Sequence, residues 1–403
     1  MNVIPSLPAR LAALRAQPQM LLLLMAFVMP LTFSVWNALL NNFVVESAGF
    51  TGREIGILHS LREIPGFLAF TAIFLLLIFA EQVLALVSLA VMSVAVAVTG
   101  YFPSVVGLYI TTVVMSIGFH YFEAVNRSLT LQFLPKAETA HFMGRVMAAK
   151  AMASLLAFGS IWLLMGQLDL PYKTMYLLAG GAGLFITAII ALVFPLFEQH
   201  TVQRKHIVLR KRYWLYYALE FMGGARRQIF MVFAAFMMVE KFGYTVAQIS
   251  SLFIINYLFN LAFAPRIGRW IGKVGERRAL TLEYIGLFIV FCCYAGVETG
   301  WIAATLYVVD HFFFALAIAI NTYFQKIADP ADIASNASVS FTINHIAAVV
   351  VPVLLGLVWL HSPGLVFMTG AVFALISLVL ARMVPETPEP GAEVQGVFAR
   401  SSA

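Results

Sequence analysis

Apolar stretches of about 20 residues, long enough to cross a hydrocarbon core roughly 30 Å thick, follow one another along nearly all of this 403-residue chain. That recurrence constrains the fold more than any other feature. With 62% hydrophobic and 11% charged residues, the chain departs from an ordinary soluble domain, in which about a quarter of residues are charged. We read an all-α polytopic membrane protein whose twelve helices lie near 18–45, 52–80, 82–101, 103–134, 139–166, 173–197, 212–239, 246–267, 277–297, 299–327, 333–360 and 363–385. No soluble domain fits in the remainder. The first apolar run has no small-residue cleavage site behind it and is expected to stay as a permanent helix. Cys292 and Cys293 are neighbours in one apolar run, point in different directions and are expected to be free thiols.

Basic residues are distributed unevenly. In this layout 17 lie on the side of the termini, including Arg204, Lys205, Arg210, Lys211 and Arg212. Only Arg53, Lys173 and Lys241 lie opposite, and five more sit inside helices. The asymmetry predicts cytoplasmic termini in the inner membrane of a bacterium. It also accounts for the formal net charge of +6 without invoking nucleic acid.

The chain repeats itself. Gly49-Phe50-Thr51-x-x-Glu54-Ile55-x-x-Leu58 returns as Gly243-Tyr244-Thr245-x-x-Gln248-Ile249-x-x-Leu252, at an offset of 194. Asn126 and Pro135 return as Asn321 and Pro330, at an offset of 195. Two six-helix halves follow, 1–197 and 213–385, joined by a cytoplasmic linker at 198–212 and followed by a cytoplasmic tail at 386–403.

Between the second half's second and third helices lies Arg266-Ile-Gly-Arg-Trp-Ile-Gly-Lys-Val-Gly-Glu-Arg-Arg278, read as a basic loop whose glycines allow a close turn and close helix approach. It resembles the signature loop of the major facilitator superfamily, Gly-x-x-x-Asp-Arg-x-Gly-Arg-Arg. Gly268 stands as the first glycine, Lys273 in the arginine's slot and Gly275 as the second glycine, with Arg277 and Arg278 closing the loop. Gly272 replaces the motif's acid, and the region around Glu81 and Gln82 in the first half lacks the motif. Together with the repeat, this resemblance implies the major facilitator fold, two pseudo-symmetric halves that alternate access to a site lined mainly by the first, fourth, seventh and tenth helices.

An ionisable side chain near the bilayer centre costs at least about 2.5–3.5 kcal/mol on insertion scales, so each one needs a partner, a water-filled cavity or a task. In the fourth helix Glu123, Asn126 and Arg127 cluster, with Glu123 and Arg127 four residues apart on one face. An internal salt bridge and a substrate-lining pair are both consistent with that spacing. The seventh helix carries Glu220, then Gly223-Gly224 and the adjacent Arg226 and Arg227, which diverge by about 100° and so face different surroundings. Their planar forks suit a carboxylate, phosphate or sulfonate, and an interhelix pair with Glu220 or Glu63 is the structural alternative. Further candidates are Asn37, Lys150 and its repeat equivalent His345, Asp310 beside His311, and His59, Arg62 and Glu63 ahead of Pro65.

These residues point to a secondary transporter of a small organic solute, anionic or amphiphilic. Arg127, Arg226, Arg227, Asn126, Lys150, Asn37 and His345 are its expected substrate contacts. Glu123, Asp310, Glu220 and Glu63 are its proton-coupling candidates, with Arg62 and the basic loop as gating elements. No nucleotide-binding loop is present to drive transport, so an ion gradient is expected, protons first. The expected partners are the small-molecule substrate, protons and membrane lipids, with no nucleic acid, no cofactor and no metal, and the expected state is a monomer. A multidrug-type carrier of amphiphiles is the nearest alternative. A membrane-embedded enzyme using Asp310-His311 or His120-x-x-Glu123, and a transport-dead sensor or scaffold, are alternatives of other classes.

Overall fold

The computed structural model describes residues 17–133, 136–197, 209–329 and 332–396. Helices occupy each of the twelve expected stretches: α1 (Pro18–Ala48), α2 (Gly52–Phe67), α3 (Glu81–Thr99), α4 (Val105–Phe133), α5 (Lys136–Leu164), α6 (Tyr172–Val193), α7 (Trp214–Gln228), α8 (Val246–Val274), α9 (Glu276–Ala295), α10 (Gly300–Phe314), α11 (Ile333–Trp359) and α12 (Pro363–Arg382). Ten of the stretches hold a helix long and apolar enough to cross a membrane. The remaining two are broken. After α2, which carries Pro65, come a 3₁₀ turn at Ala69–Thr71 and the short helix Ala72–Leu75. After α7 the backbone widens into a π-helical turn at Ile229–Ala234 before Ala235–Glu240. A 3₁₀ turn at Ala315–Ala317 also interrupts the tenth stretch, which resumes as Ile318–Ile327.

The basic stretch at 266–278 differs from expectation. It is helix as far as Val274, and only Gly275 separates α8 from α9. Arginine, lysine, isoleucine and tryptophan all tolerate a helix, and the two glycines at 268 and 272 weaken it without ending it. The break comes at Gly275, whose φ of 86° is a conformation that L side chains rarely adopt. Nor do Gly268 and Gly272 serve close helix approach, since a Cβ on either would meet nothing within 4 Å.

The repeat has a structural counterpart in its turns. Gly49 and Gly243 take φ of 61° and 63°. Each is followed by a hydrogen bond reaching back six residues, from Phe50 N to Val44 O (3.1 Å) and from Tyr244 N to Met238 O (2.9 Å). This is a left-handed, glycine-closed helix end, one residue wider than a Schellman turn. The next threonine then opens the following helix. Thr51 N donates to Glu54 Oε2 (3.0 Å) and Thr245 N to Gln248 Oε1 (2.9 Å), the latter within a full capping box. Asn126 is buried and Asn321 exposed, while Pro135 and Pro330 lie outside the described residues.

A second pair of equivalent positions holds the chain that leaves each half's last helix. Gln82 donates from Nε2 to Pro195 O (2.9 Å) and accepts from Phe197 N (3.1 Å). At an offset of 195, Arg277 donates to Gln395 Oε1 (3.3 Å) and lies 3.8 Å from Glu386.

The chain divides into two compact units, one of residues 1–43 and 64–203, the other of 44–63 and 204–403. In the first, α3 packs along α4 and α6. In the second, α9 packs on α12 and α10, and α7 on α11 and α12. Where backbones meet, glycine makes room, as it does between membrane helices generally. A Cβ at Gly180 would lie 2.3 Å from Ala97 N and Ser93 O, and one at Gly56 would lie 2.3 Å from Pro352 O. We expect Gly180→Leu to cost about 1–3 kcal/mol through forced displacement of α3. The adjacent Gly181→Ala, which meets nothing within 4 Å, is expected to be neutral or to stabilise slightly. Thermal unfolding of the detergent-solubilised variants checks both.

Candidate functional site

In the first unit the charges meet across α4 and α5. Lys150 Nζ donates to Glu123 Oε1 at 2.8 Å, each side chain about a third exposed. The side chain of Arg127, the expected i+4 partner, lies outside the described residues. One turn before Glu123, His120 is buried with its Nδ1 2.9 Å from Ser116 Oγ. Asn126 is buried one turn after. From α1, Phe33 rests on Phe119 with ring centroids 4.7 Å apart, and Ser34 Oγ donates to Ser154 Oγ at 3.0 Å. Those contacts hold Asn37, half-buried one turn later, on a helix tied to both α4 and α5.

In the second unit a larger set converges from α2, α7 and α11. Arg62 Nε donates to Glu63 Oε1 (3.1 Å), and Glu63 Oε2 lies 3.5 Å from His345 Nε2. His345 Nδ1 is 2.8 Å from the Phe341 carbonyl, an acceptor only, so that nitrogen carries the proton and Nε2 is the atom turned to Glu63. Arg227, partly exposed, lies within electrostatic reach of Glu63, Glu220 and Arg62. Glu220 Oε2 accepts from Asn344 Nδ2 at 2.7 Å. Gly224 explains itself here, because a Cβ at that position would lie 2.7 Å from Asn344 Oδ1.

Arg226 goes elsewhere, as its 100° divergence requires. It is 1% exposed, with its guanidinium 4.3 Å above the Tyr284 ring and 3.6 Å from Glu283 Oε1. Neither Glu220 nor Glu63 is its ion-pair partner; the partner is Glu283, which lies outside the candidate set. The signal was a lone acid in the apolar run Leu280-Thr-Leu-Glu-Tyr-Ile-Gly-Leu287, seven residues into α9. Asp310 of α10 is fully buried and within electrostatic reach of both Arg226 and Glu283. Of the basic stretch, Arg277 is buried, whereas Lys273 and Arg278 are exposed and do not join these clusters.

At the end of the second unit that carries the C-terminal segment, Asp332 ties together the entry to α7 and the start of α11. It accepts from Arg210 Nη2 (2.9 Å) and Tyr213 Oη (3.0 Å), and Tyr213 Oη also accepts from Asp329 N (3.0 Å). The hydrogen bond from Arg210, followed by that from Tyr213, holds the Asp332 carboxyl below the ordinary carboxylate range.

The model of the Major Facilitator Superfamily matches residues 22–352 and 216–400. The chain belongs to the Major Facilitator Superfamily. Solved structures of similar fold are a mutant form of the nucleoside transporter NupG (TM-score 0.75, 13% identity, covering 90% of this chain and 98% of that one), a bacterial homolog of the human lysosomal transporter Spinster (0.68, 13%, 94% and 97%), and a POT family transporter in complex with 5-aminolevulinic acid (0.71, 13%, 90% and 94%). No curated protein sequence matches the chain significantly. This superfamily member is an integral membrane transporter. In its version of the signature stretch, Gly272, which stands in the acid's place, is exposed and has open space around it.

Two outcomes follow. Arg226→Met strands the Glu283 carboxylate and should cost roughly 3–5 kcal/mol, the penalty of breaking a buried pair from one side; adding Glu283→Leu should recover most of it, read by unfolding in detergent. A carboxyl held below its ordinary value stabilises fully above the unfolded pKa of about 3.9 and loses that contribution as pH falls through the lowered value. Wild-type protein should therefore lose stability below about pH 4 more steeply than Asp332→Asn, which lacks the titrating group.

Proposed function

We propose that the protein is a secondary active transporter that moves a small organic solute by alternating access, driven by protons. The observation that carries this reading is the set of charges within its spanning helices. Each unit holds acids and bases side by side, Glu123 with Lys150 in one, and Glu63, Arg62, His345, Arg227 and Glu220 in the other. Charges that served structure alone would be expected in fixed, fully buried pairs. Several of these are partly exposed.

Arg227 is the cation we assign to the solute's negative group, with Arg127, Lys150, Asn126, Asn37 and His345 as further contacts. A guanidinium stays charged through any cycle and grips a carboxylate or phosphate with two parallel bonds. Glu123 is the first coupling acid, because protonating it releases Lys150 for an anion; Asp310, Glu220 and Glu63 follow. The basic asymmetry supports cytoplasmic termini in a bacterial inner membrane, and we take the working unit to be a monomer.

The test begins with thermal shifts of purified protein against organic anions, amphiphiles and sugars, since a specific binder stabilises the folded state. The best binder is then followed in proteoliposomes. Glu123→Gln should abolish accumulation driven by a pH gradient yet leave exchange at equal pH, and Arg227→Gln should lose binding with only partial rescue by lysine. Normal transport by Arg227→Gln and Arg127→Gln would overturn the anion assignment. Absence of counterflow with every binder would overturn transport itself.

A further inference from the structure

Arg226, Glu283 and Asp310 form a cluster that local spacing does not explain. They come from α7, α9 and α10 and are 1%, 0% and 0% exposed. Glu283 is seven residues into α9, about 10 Å from its start, and Asp310 ten residues into α10, about 15 Å from its own. Among the described residues, neither oxygen of either carboxylate accepts a hydrogen bond, and Arg226 Nη1 makes none. The one close approach is the 3.6 Å between Arg226 and Glu283.

With both acids ionised, the cluster carries two negative charges against one positive. A net charge with unmet hydrogen-bonding capacity, buried in a protein interior within the membrane, is the arrangement that proteins relieve by taking up a proton. Among the described residues, the surroundings supply no second counter-charge. On α7, Glu220 adds negative charge, and Arg227 is engaged with Glu63 and Glu220. On α9 the titratable neighbours are Tyr284, whose face meets Arg226, and Tyr294, whose hydroxyl donates to Ala303 O at 3.0 Å. On α10 they are Tyr307, stacked on Phe230 at 4.6 Å between centroids, and His311, which meets Phe230 edge-on at 5.1 Å. Over their apolar lengths, α8 contributes the exposed Tyr257 and α12 no charge before Arg382.

We propose that Glu283 and Asp310 share one proton, making this cluster a proton-binding site in which Arg226 is the fixed counter-charge. Bound, the proton sits as O–H on one of the two carboxyls, and the cluster is neutral. Released to water, it leaves one net negative charge beside Arg226. A sequestered proton of this kind is what a proton-driven cycle loads and unloads. Only that last role rests on the transport reading; the site itself does not.

Infrared spectroscopy of the full-length protein in detergent tests this without any substrate, since a protonated carboxyl has its own carbonyl-stretch band. At neutral pH the wild-type band should fall by one carboxyl's worth in Glu283→Gln and in Asp310→Asn, because the remaining acid then ionises against Arg226. It should rise in Arg226→Gln, and persist at a shifted position in Glu283→Asp. A wild-type spectrum with no such band overturns the proposal even if every variant misfolds. Bands unchanged in both amide variants overturn it too, and a wild-type band removed by sodium at constant pH would give the site to a metal cation instead. A positive spectrum with no transport in liposomes would leave the site standing and sink only the function.

Discussion

A polar group taken into hydrocarbon must carry its partners with it, and most of this structure follows from that requirement. Backbone groups meet it by forming helices in every long apolar run. Side chains meet it by converging on one another: the described ion pairs within the spanning helices, Glu123 with Lys150, Glu63 with Arg62 and His345, and Arg226 with Glu283, are each drawn from within one unit. Glycines such as Gly56 and Gly180 serve the same end indirectly, letting helix backbones approach closely.

The clusters differ in how completely the requirement is met. Glu123 and Lys150 keep part of their surface exposed and are joined by a short hydrogen bond that a competing anion or proton can replace. Arg226, Glu283 and Asp310 are sealed, two acids beside one guanidinium. Under the proposed transport function, the first cluster is suited to exchanging partners with a solute and the second to holding a proton away from water.

Helix positions were largely legible from the chain, because runs of about 20 apolar residues have one stable fold in lipid. The stretch 266–278 was misread because charge and glycine together look like a loop, whereas the quantity that ends a helix is backbone conformation. Only Gly275 has it. Partners were harder to read than positions. Glu123 had a cation at i+4, yet the described partner comes from the next helix, and Arg226 and Glu283 are brought together by packing of α7 and α9 on a common neighbour, α12. Spacing rules report neighbours on one helix and are silent across two. Asp310 stood among the candidates, but its companion acid Glu283 lay in a run too apolar to draw notice.

The equivalent anchors Gln82 and Arg277 have diverged in a way that separates the two halves electrically. An amide that both donates and accepts holds the chain after α6, so that anchor is indifferent to ionic strength. A guanidinium facing a half-exposed glutamate holds the chain after α12, and dissolved ions compete for it within a Debye length of about 8 Å at physiological salt. Two copies of one fastening have become a salt-blind clasp and a salt-sensitive one.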